Sequence, residues 1–532
     1  MAISPTAIDS FLRQAIPYVP QFKGMDPHNL RELIRYRSGI PYEPKTEPRP
    51  HQLEGIAFAM YQGRSLLYYG MRLGKTLMSL QWAEQLRRGG LWKGKGLIIC
   101  HAPIALDVWQ SEAEKHSNLR VVPVRNQAEE LADALESDAD LIVIPWSGLQ
   151  NIFTDMRKNR KGANKLYPDL EGARILADAV SLVIIDEIHA AKNWSSLRFK
   201  LAKEIVCKCR YRLGLTGTPF GRNPYDVWAQ CYLIDEGKTL GYNPQFFEAA
   251  FGTRKQNWFS GRDEYTFDKK KQPILEQKLT GIALPYKLEE CQHVPVYPGS
   301  VELNIIGDQL TAYRECIDKL INLDNNQSVE IQATFVRLRQ ISSGYLPFID
   351  AFGNELTAYF KNNSKLEWLR DFLETAKEAG IAMVIIHEFT NSGRLICKAL
   401  EEVKVSHHWL HGATKDKPGV CKDFQAGKVD AIVVQAATGG LAIDLHRADY
   451  LLFFESPVSP ILRAQVEARP LSQARGDKTL LMEDIICSGI ERKIQAFLKE
   501  GKDLMSAIIH ERQSLLDETG ESNGKDIRCK RR

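Results

Sequence analysis

This chain of 532 residues is poor in the features that would place it outside the cell or in a membrane. It has ten cysteines and no C-x-x-C, and the one close pair, Cys207 and Cys209, has a spacing that would suit a metal poorly without partners. A disulfide framework is therefore not expected, and reduced thiols in a cytoplasmic protein are. No apolar run approaches membrane-spanning length. The N-terminus, MAISPTAIDSFLRQ, lacks a basic region followed by an apolar core, so no secretory leader is expected. Repeats of solenoid period are absent as well. Net charge is only +4, so any affinity for nucleic acid has to come from local patches. What is present is ordinary globular composition, 44% hydrophobic and 26% charged, on a chain too long for one core. Two or three domains are expected.

The chain is organised around residues 182–193, LVIIDEIHAAKN. Four apolar residues run straight into Asp186 and Glu187, the pattern of a buried parallel strand ending at its carboxyl edge. Ligands sit at that edge in open α/β sheets. Two adjacent acids there suit a divalent metal and a water, with Asp186 holding Mg²⁺ and Glu187 orienting the attacking water. Taken alone, the pair is better explained by capping of the next helix. It has a partner upstream, where a short strand-like run at 65–69 (SLLYY) precedes GMRLGKT at 70–76 and a helical LMSLQWAEQL. Gly74, Lys75 and Thr76 read as the end of a phosphate-binding loop: close backbone approach, a lysine for the β/γ phosphates, and a hydroxyl for Mg²⁺. The helix that follows would put those phosphates at its N-terminus. The strict eight-residue pattern asks for glycine where Tyr69 stands, so strand, helix and DEIH together carry this assignment.

Residues 1–45 read as an N-terminal extension packed on the first domain. In RPHQLEGIAFAMYQ (49–62), Leu53, Ile56, Ala57 and Met60 share one helical face. Gln52, just before the loop, is either an adenine contact or a surface glutamine. From Gly96 strands and helices alternate (GLIICHAP, VWQSEAEKH, RVVPV, AEELADALES, DLIVIPW), which indicates a parallel sheet with crossover helices. The basic MRKNRKGANK (156–165) reads as a solvated loop, with nucleic-acid contact as the alternative. YRLGLTGTPF (211–220) is a further strand, whose Thr216 and Thr218 either bond to the acidic motif or cap a turn. The first α/β lobe is placed at 46–250. The rhythm breaks over 251–360, a mostly helical insertion and linker. Its polar, basic and aromatic TRKQNWFSGRDEYTFDKKKQP is either a solvated loop or a surface that stacks on bases and pairs with phosphates. A second α/β rhythm fills 361–512 without a phosphate loop of its own, and a basic tail at 513–532 reads as disordered. Two lobes with one nucleotide motif imply ATP in a cleft between them, with an arginine supplied to the γ-phosphate from the second. Arg469 is the candidate, with Arg463 and Arg475 as rivals.

Together these residues resemble superfamily-2 helicases, and within them the Swi/Snf-type double-stranded-DNA translocases, over roughly 49–493. DEIHAAKN looks like that family's DEAH-type box, and LGLTGTPFGRNPYDVW like its LTGTP segment. RLRQISSGY resembles its interlobe linker signature, and TGGLAIDLHRAD and SPILRAQVEAR its last two motifs. The resemblance implies two RecA-like lobes and a DNA-dependent ATP hydrolase using ATP and Mg²⁺ on duplex or branched DNA. A strand-separating helicase or a nucleotide-gated DNA-binding protein of low turnover are the alternatives. It also implies that Gln52 recognises adenine, that Lys75 and Thr76 hold phosphates and metal, and that Asp186, Glu187 and His189 form the hydrolytic centre. Gly439, Gly440, Asp444 and Gln465 would couple DNA to nucleotide, and Arg469 would be the finger. A monomer is expected, in the cytoplasm (the host's, if the chain is phage-encoded), much like compact proteins of this kind in phages and bacteria. Three departures stand out: Arg72 in place of a glycine, Ala442 and Asp444 in place of a glycine and an asparagine, and Ser472 in place of a second finger arginine.

Overall fold

The computed structural model describes the chain except residues 1–3, 17, 102–103, 159–163, 218–223, 257–262, 292–294, 324–326, 351, 440–442, 477 and 501–532. The tail, Thr218 and Gly440 thus lie outside the described residues. The chain divides into two compact units, Met1–His293 and Val294–Arg532.

Each unit is built on a wholly parallel sheet, as the alternating strand and helix patterns require. In the first, seven strands lie in the order Ala283–Tyr286, Arg64–Tyr69, Tyr211–Thr216, Val180–Ile185, Lys95–Cys100, Leu141–Pro145 and Val121–Pro123. In the second, six strands run Val296–Glu302, Leu480–Ile486, Tyr450–Phe453, Met383–His387, Ala431–Gln435 and His407–Leu410. The central strands are apolar on both faces because helices cover both: Leu182 to Ile185 and Val384 to Ile386 are buried. This is the expected α/β class, with one parallel sheet in each unit.

The stretch 251–360 loses its rhythm because it is shared out between the units. Ala283–Tyr286 adds an edge strand to the first sheet and Val296–Glu302 one to the second. It also holds two antiparallel hairpins, Gly252–Gln256 with Asp263–Phe267 and Tyr345–Ile349 with Glu355–Tyr359. RLRQISSGY (337–345) is held within the second unit by a buried polar cluster. Arg339 pairs with Glu388 and donates to the Ser456 carbonyl (2.9 Å), while the buried Glu455 carboxylate accepts from Ser343, Ser392 and the Glu388 and Phe389 amides. MRKNRKGANK, read as a loop, instead has both its ends in a hairpin of Thr154–Lys158 with Asn164–Pro168. Asp155 to Lys158 of its first strand are exposed, with Met156 67% accessible, so no apolar alternation betrays it.

The N-terminal extension packs on the first unit. Leu30 and Ile34 of the helix Pro27–Ser38 share a core with Leu53, Ile56 and Phe58, and Phe22 stands edge-on to Phe58 at 5.3 Å. The helix Pro50–Gln62 is consequently buried all round rather than on one face. All nine described cysteines are free thiols. Among the described residues, no helix is long and apolar enough to cross a membrane.

Candidate active site

Three neighbouring strands of the first sheet end side by side. Tyr68 is in register with Thr216, and Ile185 with Gly214, so the loop after Tyr69, the end of the Tyr211–Thr216 strand and Asp186 share one carboxyl edge. The loop turns through left-handed backbone at Arg72 (φ 67°) and Gly74 (φ 79°) before the helix Lys75–Arg88 begins. At Gly74 a side chain has no room, since a Cβ would stand 2.2 Å from Gln52 Nε2. Arg72 adopts a conformation that costs an ordinary residue about 1 kcal/mol, which is the backbone reason for a glycine at that position.

Gln52 is buried against this loop. Its amide oxygen accepts from the Arg49 amide (2.9 Å), closing the first turn of its helix, and its Nε2 donates to the Leu73 carbonyl (3.2 Å). His51 Nε2 meets the same carbonyl at 3.3 Å. These side chains clamp the loop from behind. Lys75 lies across its mouth, donating to the carbonyls of Tyr69 (2.9 Å) and Gly70 (3.2 Å). Thr76 follows in the first turn, where free amides and the helix dipole favour an anion.

The acids sit opposite that positive end. Asp186 is anchored by its amide to the Ile99 carbonyl (2.8 Å), and its Oδ1 accepts from the Glu187 amide (3.0 Å). Burial and the adjacent Glu187 carboxylate push Asp186 up, to about 6, against the pull of Lys75 and of a hydrogen bond from Trp109. Glu187 lies in left-handed backbone (φ 47°), an arrangement concentrated at functional sites. Burial would raise it too, but the His189 hydrogen bond and the fields of Lys75 and His189 hold it below the usual carboxylate range. His189 Nδ1 lies 3.1 Å from Glu187 Oε2 and 3.0 Å from Thr216 Oγ1, and that hydroxyl reaches Glu187 at 3.5 Å. Thr216 thus joins the acidic motif. Lys192, in the same motif, pairs with Asp226 at 2.8 Å.

Two adjacent carboxylates, one pushed up by burial and by the charge of its neighbour, are oxygen donors of the kind a hard divalent cation takes. Beside them, a lysine and a helix N-terminus form an anion cradle. The first unit thus brings together Gln52, Gly74, Lys75, Thr76, Asp186, Glu187 and His189. Trp109, from the helix Ile104–His116, was not a sequence candidate. Its only signal is a tryptophan in the helix after HAP, and its partner is supplied by the fold.

Within the second unit the arginines separate clearly. Arg463 is buried, pairs bidentately with Asp484 (2.5 and 2.8 Å) and lies over Phe453. Arg475 donates to the carbonyls of Lys478 (2.6 Å), His446 (3.1 Å), Ala448 (2.6 Å) and Thr479. Both guanidiniums are committed to the fold. Arg469 follows the helix Pro460–Glu467 with a half-buried side chain, and its carbonyl accepts from the Leu445 amide (3.2 Å). Two of the departures touch each other: Ser472 Oγ donates to Asp444 Oδ2 (3.2 Å), which His446 Nδ1 also approaches at 3.1 Å. Gln465 is buried, and Gly439 ends the short helix Ala436–Gly439.

The SNF2-related domain profile matches residues 51–286, and the helicase conserved C-terminal domain matches 364–473. The chain is 23% identical over 510 residues to a chromodomain-helicase-DNA-binding protein 1-like of Danio rerio, covering 88% of this chain and 45% of that protein. It is 23% identical to the putative protein p41 of Acyrthosiphon pisum secondary endosymbiont phage 1, covering 77% of this chain and 85% of that one. Among solved structures, the Sulfolobus solfataricus SWI2/SNF2 ATPase core in complex with dsDNA aligns over 90% of this chain and 97% of its own, at 21% identity and a TM-score of 0.40. The chain spans less than half the length of the first curated relatives it matches.

Proposed function

The chain belongs to the superfamily-2, SNF2-related helicase ATPases, and from that membership we propose that it hydrolyses ATP at the loop–carboxylate site to drive movement along duplex or branched DNA. The observation that carries this reading is the meeting of the Lys75 loop, the Asp186–Glu187 pair and Thr216 on three adjacent strand ends.

The proposed roles rest on the resemblance, and the geometry of the first unit supports those of the loop and the acids. Lys75 leaves the loop carbonyls for the β/γ phosphates, while the amides of the first helical turn hold the phosphate oxygens. Gln52 keeps the loop in shape and, through the second hydrogen of its amide nitrogen, contacts adenine. Thr76 and Asp186 would hold Mg²⁺, which supplies neutralisation of phosphate charge. Glu187, kept ionised by His189 and Lys75, accepts a hydrogen bond from the attacking water and orients it. Thr216 and His189 fix the Glu187 carboxylate, so displacement of either hydroxyl or imidazole misplaces the water. Arg469 is proposed as the finger on the strength of the motif resemblance, while Arg463 is spent on Asp484 and Arg475 on backbone carbonyls. Gly440 and Asp444, with Gly439 and Gln465, are proposed to couple DNA to nucleotide.

DNA is the proposed track on the strength of the family, one relative of which is named for helicase and DNA binding. A backbone-tracking protein loses affinity steeply with salt and depends little on sequence. The test is ATP turnover with no DNA and with single-stranded, duplex and forked DNA. Stimulation by duplex or forked DNA is expected. Stimulation by single strands alone would favour strand separation, and DNA binding without turnover would favour a nucleotide-gated binding protein.

A further inference from the structure

The first unit has a second concavity, at the sheet edge away from the phosphate loop. A cavity of about 530 Å³ opens between the end of the N-terminal helix Pro5–Arg13, the turn after the helix Val227–Asp235, and the end of the helix Gln272–Leu279. That volume is in the range of small-molecule sites. Its walls are built rather than accidental. Phe11 stands edge-on to Phe246 (5.4 Å) and Phe251 (6.2 Å), and so pins the N-terminal helix. The turn wall is held by Trp228, whose indole N–H donates to the Gly241 carbonyl at 3.0 Å. Gly237, at φ 89°, packs so closely on Gly241 that a Cβ would lie 2.7 Å from that carbonyl oxygen.

Lys278 lines this cavity and is only 5% exposed. Its ammonium lies 4.5 Å from the centre of the Phe11 ring, and no carboxylate answers it among the described residues. Burial lowers its pKa with no opposing charge. An unpaired buried ammonium lowers stability, since a ring face replaces only part of its hydration. Methionine or leucine would fill the same space without that cost. Lys238 and Tyr242 stand exposed at the mouth, and Ile16 adds apolar wall.

We propose that this cavity is a binding site for a small organic anion, whose carboxylate or phosphate meets Lys278 and whose apolar or aromatic body lies against Phe11 and Ile16. Tyr242 and Lys238 flank the opening. The site is separate from the phosphate loop and independent of the ATPase reading.

The test uses the full chain and two probes, benzoate and phenyl phosphate, each an aromatic ring with one anionic head. Calorimetric titration is expected to show one-to-one binding of at least one, and which one binds identifies the head group. Lys278→Met should weaken it roughly tenfold to a hundredfold, the worth of a buried charge-assisted hydrogen bond. Lys75→Ala, at the nucleotide loop, should leave it unchanged. Without probe, Lys278→Met should raise the thermal midpoint, because it removes an uncompensated buried charge. Phe11→Leu, which keeps the helix anchored, should weaken binding in the same direction. Failure of both probes to bind, equal binding by wild type and Lys278→Met, or a lower midpoint for Lys278→Met would each overturn the proposal.

Discussion

Arg475 offers a sharp separation of fold from chemistry. Sequence position makes it a rival for the arginine finger, but its guanidinium is spent on the carbonyls of Lys478, His446, Ala448 and Thr479. Hydrogen bonds from a charged donor are each worth about 1.5–3 kcal/mol. Some of the carbonyls regain water when the side chain is cut back, so Arg475→Ala should destabilise the second unit by about 3–5 kcal/mol. For a unit of this size that is a fall of roughly 6–20 °C in its thermal midpoint, at about 2–4 °C per kcal/mol. Arg469→Ala should act on the chemistry instead, nearly silencing hydrolysis per folded molecule, as fingers are worth roughly 10³ to 10⁵ in rate elsewhere. The assay is thermal denaturation of both variants beside DNA-stimulated turnover per folded molecule. An Arg475→Ala protein that melts like wild type yet fails to hydrolyse ATP would refute the assignment and return Arg475 to the active site.

Other expectations follow from the same geometry. Lys75→Ala should abolish turnover, whereas Glu187→Gln should bind ATP and hydrolyse it very slowly; near-normal turnover by Glu187→Gln in a single-turnover assay would move the water-orienting role elsewhere. Trp109→Phe removes the N–H that holds Asp186, so half-maximal hydrolysis should need roughly tenfold to a hundredfold more Mg²⁺, the usual cost of losing such a support. An unchanged Mg²⁺ titration would show that the bond is idle. In the second unit, Trp409 donates to His387 Nε2 (3.0 Å) and Nδ1 meets the Phe389 carbonyl (2.9 Å), an arrangement for the neutral ring, and burial lowers its pKa. Its folded pKa is below the unfolded value of about 6.5, so its contribution is complete above that pH and is lost as pH falls towards the folded pKa, at up to about 1.4 kcal/mol per pH unit. Denaturant midpoints between pH 7 and pH 5.5 should fall less for His387→Gln than for wild type; parallel curves would contradict this.

The strands were readable because parallel sheets buried on both faces leave continuous apolar runs, and LVIIDE ends where such a run meets two acids. Parallel pairing then puts every strand-end motif on one edge, so Lys75, Asp186 and Thr216 could be grouped before any coordinates. Contacts made by tertiary approach left no local trace. Trp109 reaches Asp186 from another helix, and Gln52 spends much of its amide on Leu73 and Arg49. The hairpins flanking 159–163 and 257–262 escape period reading because their strands are short, five residues each. Arg463 and Arg475 look like catalytic candidates in sequence, since nothing local tells a guanidinium facing a phosphate from one facing Asp484 or four carbonyls.

The central claim is that hydrolysis at Glu187 moves the chain along duplex DNA, and displacement of a labelled third strand from a DNA triplex measures it most directly. The account predicts displacement that needs ATP and a duplex arm beside the triplex, is lost in Glu187→Gln, and leaves the duplex unseparated. Displacement without ATP, equal displacement by Glu187→Gln, or none at all under conditions of full ATP turnover would contradict it.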